Sequence, residues 1–232
     1  MRCLLIGGAG FLGQSITLAL SKKGVEEILV LDLPNREESV SAIPNVQFIG
    51  GSYLDLEKHD AIFANVESVI YLSTDSHPQA SMIDVERDAK NNITPAIRMM
   101  ESCRYHGVSS VVFASSGGTI YGNSEVTPLT EDHPKEPLSG YGVAKLAIEK
   151  YLHLYYLQFG LRTYSLRISN AYGPGQLEGA VIGSVANFLK KVTRGEPITI
   201  WGDGTIVRDY VYIDDIADGF ARFVLDSSSI PP

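Results

Sequence analysis

Met1-Arg-Cys-Leu-Leu-Ile6 runs into Gly7-Gly-Ala-Gly-Phe-Leu-Gly13, after which Ile16, Leu18, Ala19 and Leu20 recur at helical spacing. A short apolar run of this kind suits a buried parallel strand, and the recurrence after it suits a helix. The glycines between them satisfy two overlapping spacings, Gly-x-Gly-x-x-Gly at Gly8, Gly10 and Gly13, and Gly-x-x-Gly-x-x-Gly at Gly7, Gly10 and Gly13. Such a turn lets the backbone approach a pyrophosphate and lets the helix pack closely on the strand. Phe11 and Leu12 belong to the same turn and are expected beside the same ligand. A second strand, Ile28-Leu-Val-Leu31, ends in Asp32, nineteen residues past Gly13. An acid there accepts from adenosine ribose hydroxyls and repels a 2′-phosphate, which favours NAD over NADP. Arg36 tempers that preference, because a neighbouring Arg can serve a 2′-phosphate.

Beyond this unit, apolar runs at Val46 to Ile49, Ser68 to Leu72, Val108 to Ala114 and Arg162 to Arg167 alternate with helical segments. The alternation implies an α/β chain with a doubly wound parallel sheet covered on both faces. One helix is expected from about Met82 to Tyr105, kinked or divided at Pro95, with Asp84, Glu86, Arg87 and Asp88 solvated. Residues 123–138 are polar and Pro-containing and read as a surface loop bordering a pocket. No internal repeat, low-complexity tract or signal sequence stands out.

At 232 residues, with 44% hydrophobic and 20% charged residues, the chain can bury a substantial core. The net charge of −8 argues against nucleic acid or an anionic membrane as partner. Cys3 and Cys103 are too few for a disulfide framework and have no metal-ligand spacing around them, so a reduced, cytoplasmic chain without a metal is expected.

Tyr141-Gly-Val-Ala-Lys145 opens another helical pattern, continued by Ile148, Leu152, Tyr155 and Tyr156, and places Tyr141 and Lys145 at i and i+4 on one face. A free phenol has a pKa near ~10, a handicap of roughly 4 kcal/mol for a base at neutral pH, which a nearby ammonium reduces. Upstream, Phe113-Ala-Ser-Ser-Gly-Gly-Thr-Ile-Tyr-Gly122 places hydroxyls at the carboxyl end of a strand, where open α/β sheets bind ligands. Ser115, Ser116 or Thr119 could meet Tyr141 across the cleft.

These stretches, together with Leu166-Arg-Ile-Ser-Asn-Ala-Tyr-Gly-Pro174 and Gly202-Asp-Gly-Thr-Ile-Val-Arg-Asp-Tyr-Val-Tyr-Ile-Asp-Asp215, resemble the extended short-chain dehydrogenase/reductases. The resemblance is to the NAD-dependent nucleotide-sugar epimerase/dehydratase branch, closest to UDP-glucose 4-epimerase-like members, and covers nearly the whole chain. It implies that Tyr141 is the base for a sugar hydroxyl, that Lys145 binds the nicotinamide ribose and, helped by the positive nicotinamide, lowers the Tyr141 pKa, and that Ser116 polarises the reacting oxygen. Ser115 and Thr119 remain alternatives. Gly7, Gly10, Phe11, Leu12, Gly13 and Asp32 would hold NAD, as would Tyr141 and Lys145. Asn170 and Arg208 would hold the nucleotide diphosphate; without the resemblance, Arg208 beside Asp209 reads as an ion pair. Asn92 matches a recurrent Asn of the cofactor region.

The resemblance further implies a Rossmann-like NAD-binding core over 1–172. Residues 173–232 would mix returning core elements with an incomplete smaller substrate lobe. It also implies a homodimer built from helices near Ala89 to Tyr105 and Tyr141 to Phe159. Ser52 stands where the family often has an acid that holds the adenine, and Val69-Ile-Tyr-Leu-Ser-Thr74 replaces a usual His and small-residue pair; both alter the expected cofactor pocket. The reaction implied is transient oxidation of a UDP-hexose or UDP-N-acetylhexosamine at C4, with hydride return to the opposite face. Dehydratases of the branch carry an Asp-Glu pair where Gly117-Gly118 stands. A dehydratase or reductase, or an NAD-binding module without turnover, are the rival expectations.

Overall fold

The computed structural model describes residues 1–124, 126–176, 183–200, 202–227 and 229–232. Strands β1 (Arg2–Ile6), β2 (Glu27–Asp32), β3 (Val46–Gly50), β4 (Ser68–Tyr71), β5 (Ser110–Ser116) and β6 (Arg162–Ile168) form one sheet in the order β3-β2-β1-β4-β5-β6. Every neighbouring pair is parallel. The chain builds outward from β1 to β3 and then returns to the other side of β1, so its direction of growth reverses between β1 and β4. Loops at the carboxyl ends of strands diverge at such a point and leave a crevice for a ligand.

The apolar runs are continuous because both faces of the sheet are covered. Leu4, Ile6, Val111 and Phe113 point to the layer made by α2 (Val85–His106) and α3 (Gly140–Phe159). Their strand neighbours Cys3, Leu5, Val112 and Ala114 point to the opposite layer, α1 (Phe11–Lys22) and α5 (Ile213–Leu225). This is the doubly wound Rossmann-like α/β sheet that the sequence pattern implies. A second, two-stranded sheet pairs β7 (Asn170–Tyr172) with β8 (Tyr210–Tyr212) in parallel, with α4 (Ser184–Thr193) between them in sequence. From β8 the chain re-enters the core through α5, which buries Ile216, Ala217, Phe220, Ala221 and Val224 against α1 and the sheet.

Three local expectations need correction. The second helix begins at Val85, where Asp84 caps it by accepting from the Arg87 N–H at 2.9 Å, while Ala80–Met82 forms a separate 3-10 turn. It then runs through Pro95 undivided. A proline inside a helix costs about 3 kcal/mol; burial of Ala96, Met99, Met100 and Cys103 just beyond it offsets that cost. Asp88 is also not solvated: it is 3% exposed and packed beneath α3.

Candidate active site

The site begins with the cap of α3. Ser139 Oγ accepts from the Gly142 N–H at 3.2 Å, which starts the helix one residue before Tyr141. Glycine is required at 142, since a Cβ there would stand 2.6 Å from the Thr119 carbonyl oxygen. Tyr141 is thereby placed in the first turn, and Lys145 one turn later dives under the sheet edge. Its Nζ donates to the Ala114 carbonyl at 2.8 Å, 4.7 Å from the Phe113 ring centroid and 5.5 Å from that of Tyr141.

Burial disfavours the charged form of both groups. The Lys145 ammonium is pushed down to about 8 by burial, and the Tyr141 phenol is pushed up to about 12 by burial, with the Asp88 charge adding to the rise. Within the chain alone, burial and the Asp88 charge therefore hold the phenol up. The lysine's charge is weakened by its burial and directed at a carbonyl.

Ser115 and Ser116 are separated by strand alternation. Ser115 is the register partner of Arg167 on β6 and faces α3, where its Oγ donates to Glu149 Oε1 at 2.5 Å. Ser116 faces the other way and lines a cleft of about 1520 Å³ together with Thr119 and Tyr141. Thr119 Oγ1 is buried and has no hydrogen-bond partner among the described residues. The same cleft is lined by Phe11, Leu12 and Arg36 of the β1–α1 region and by Asn170 and Arg208.

At the glycine turn, a Cβ on Gly13 would stand 2.4 Å from the Gly8 carbonyl carbon, and one on Gly7, where φ is +87°, would stand 2.7 Å from Ser73 Oγ. Only a chain without side chains here can bring α1 this close to β1 and the β1 end this close to the segment after β4. Asp32 accepts from the Ala9 N–H at 2.9 Å and the Leu33 N–H at 2.8 Å, so it fastens the turn from the end of β2. Arg36 Nε lies 3.9 Å from Asp32. The bare backbone at the end of β1, beside an acid at the end of β2, fits the pyrophosphate and ribose of a dinucleotide. Ser52, in place of the family's acid, caps the following 3-10 helix by accepting from the Leu54 N–H.

Asn92 is a brace: Oδ1 accepts from Thr74 Oγ1 at 2.9 Å and the Asp75 N–H at 3.1 Å, while Nδ2 donates to the Asp88 carbonyl. Asn170 spends its side-chain amide on the Asp209 carbonyl at 2.9 Å. Arg208 makes no ion pair with Asp209; it is exposed, donates only to the Val207 carbonyl among the described residues, and faces the cleft. The residues missed in the sequence are Lys190 and Lys191 of α4 and Arg194 just past its end, which add to the cleft lining. A basic cluster in a chain of net charge −8 was the available signal. Among the described residues, no group of three or more His, Cys, Asp or Glu could hold a metal ion, and no helix is long and apolar enough to cross a membrane.

The model of the NAD dependent epimerase/dehydratase family matches residues 3–231. The UDP-glucose 4-epimerase of Mycolicibacterium smegmatis is 33% identical over 227 residues, which is 96% of this chain and 72% of the relative. The crystal structure of the Thermus thermophilus UDP-glucose 4-epimerase in complex with NAD is similar with a TM-score of 0.86 at 35% identity, over 97% of this chain and 74% of that one. A dTDP-glucose 4,6-dehydratase from Streptomyces venezuelae with NAD bound reaches a TM-score of 0.85 at 26% identity, over 97% and 72%.

Proposed function

We propose, from the premise that the chain belongs to the NAD-dependent epimerase/dehydratase family, that it is a nucleotide-sugar 4-epimerase acting on a UDP-hexose or UDP-N-acetylhexosamine. One observation carries this reading: Ser116, Thr119 and Tyr141 line the same cleft as Phe11 and Leu12 of the cofactor turn and as the exposed guanidinium of Arg208.

NAD, when bound, supplies the acceptor and donor of the hydride that leaves the sugar C4 and returns to its opposite face. Tyr141 takes the proton of the C4 hydroxyl and gives it back, and Ser116 donates a hydrogen bond to the same oxygen. Lys145, anchored on Ala114, supports the cofactor side of Tyr141. Arg208 offers a forked donor to the diphosphate, and Lys190, Lys191 and Arg194 add positive charge along the same wall. Dehydration is disfavoured because glycine stands at both 117 and 118, where that reaction would use acids; a Cβ at 117 would stand 2.9 Å from the Arg167 carbonyl oxygen, whereas 118 has open space around it. Two buried, unpaired cysteines support a reduced, cytoplasmic setting. We read the assembly as a homodimer formed through the outer faces of α2 and α3, which leave Tyr105, Leu154, Leu157 and Phe159 exposed.

NMR of the protein with NAD and UDP-glucose, then UDP-N-acetylglucosamine, tests the reading through the C4 configuration. Wild type is expected to invert C4. Tyr141→Phe is expected to lose about 10²- to 10⁴-fold in rate. NAD binding with no inversion of either sugar would instead favour the module without turnover.

A further inference from the structure

Tyr141, Lys145 and Glu149 form an i, i+4, i+8 stripe on α3, and the proposed mechanism uses only the first two. Glu149 is buried and receives Arg167 of β6 in a forked pair, Nε to Oε1 at 3.0 Å and Nη2 to Oε2 at 2.8 Å. Ser115 Oγ donates to the same Oε1. The remaining nitrogen of Arg167, Nη1, donates to Tyr121 Oη at 2.8 Å and to the Glu131 carbonyl at 3.0 Å. A single guanidinium from β6 therefore joins helix α3 to two points of the segment that follows β5, and Glu149 ties in Ser115 of β5.

That segment carries Thr119, which lines the cleft with Ser116 at the end of β5 and Tyr141 of α3. Its first residue, Gly117, is held by an N–H bond to the Ile168 carbonyl at 2.8 Å, and the Thr119 carbonyl abuts Gly142 beside Tyr141. Thr119 Oγ1 has no partner among the described residues, so nothing in its own side chain fixes it there. Burying an ion pair adds little net stability relative to an apolar pair of the same shape, but two parallel hydrogen bonds from a forked guanidinium add geometric specificity. We propose that Glu149 and Arg167 are positioning residues: through Tyr121 and Glu131 they clamp the segment after β5 against α3 and so hold Thr119 beside Tyr141. The catalytic meaning of that placement rests on the 4-epimerase reading, whereas the clamp itself does not.

Hydrogen exchange followed by mass spectrometry tests the clamp without reference to turnover. Arg167→Lys keeps the charge but cannot fork, and Tyr121→Phe removes one hydrogen bond while sparing the ion pair. In Arg167→Lys, exchange over 117–131 is expected to rise about tenfold or more, the scale of one lost charge-assisted hydrogen bond. Exchange over 2–22 and NAD affinity are expected to match wild type, and Tyr121→Phe should give a smaller rise in the same segment. Where wild type inverts C4, kcat should fall more than KM rises in Arg167→Lys. Unchanged exchange in Arg167→Lys would overturn the clamp, as would a rise spread evenly over the whole sheet. If wild type shows no inversion at all, the 4-epimerase reading fails alone and the exchange result still decides the clamp.

Discussion

Tyr141 and Lys145 face opposite protonation problems created by the same burial. A phenol held up at about 12 is almost wholly protonated at neutral pH. An ammonium pushed down to about 8 still carries most of its charge there, but its Nζ donates to Ala114. A base at this position therefore needs another positive charge nearby, which oxidised NAD carries on its nicotinamide ring. Ultraviolet difference titration of wild type against Tyr141→Phe is expected to place the Tyr141 transition near 12 without NAD. With NAD it should fall by about one unit or more, because a nearby positive charge favours the phenolate; an unmoved transition would remove the cofactor's charge from the activation of this base. The pairing of Tyr141 with Lys145 was legible from spacing alone. The choice between Ser115 and Ser116 was not, because it depends on which face of β5 meets α3. Asp88 misled for a related reason: in a run of Asp, Glu and Arg, only the packing of α2 under α3 shows which acid is enclosed.

The β1–α1 turn shows how closely an element can be read when sterics leave one solution. Gly13→Ala is expected to lower stability by about 1–3 kcal/mol, the usual range for forced overpacking, and to weaken NAD binding, because α1 must move off β1. Thermal unfolding and calorimetric titration check both parts; wild-type affinity in the variant would mean that the turn tolerates a side chain and is not the dinucleotide cradle. The helix through Pro95 lies at the other extreme. Local propensity argues for a break, but the apolar stripe around the proline is buried, and tertiary contact overrides one missing hydrogen bond. The strand after Ser169 and its partner near Val211 are each three residues long, too short for a periodic signal, and exist as β7 and β8 by pairing with each other.

At the scale of the molecule, the acidic chain gathers Lys190, Lys191, Arg194 and Arg208 along the cleft and leaves apolar side chains on the outer surface of α2 and α3. The homodimer reading predicts that light scattering returns about twice the 25.3 kDa chain mass. Leu157→Glu should restore the single-chain mass, since an unpaired charge in an apolar contact is costly; a wild-type mass near 25.3 kDa at micromolar concentration would sink the reading. By itself the sequence determined the parallel α/β sheet, the glycine turn with Asp32, and the spacing of Tyr141 and Lys145, because each is a short-range pattern of apolar period, steric room or helical repeat. Only the tertiary structure decided which serine reaches the cleft, that Asp88 is enclosed, that Arg208 faces the cleft without pairing with Asp209, and that Arg167 ties α3 to the loop after β5. Those facts depend on strand register and on contacts between residues far apart in sequence, where the partners are chosen by how the layers pack.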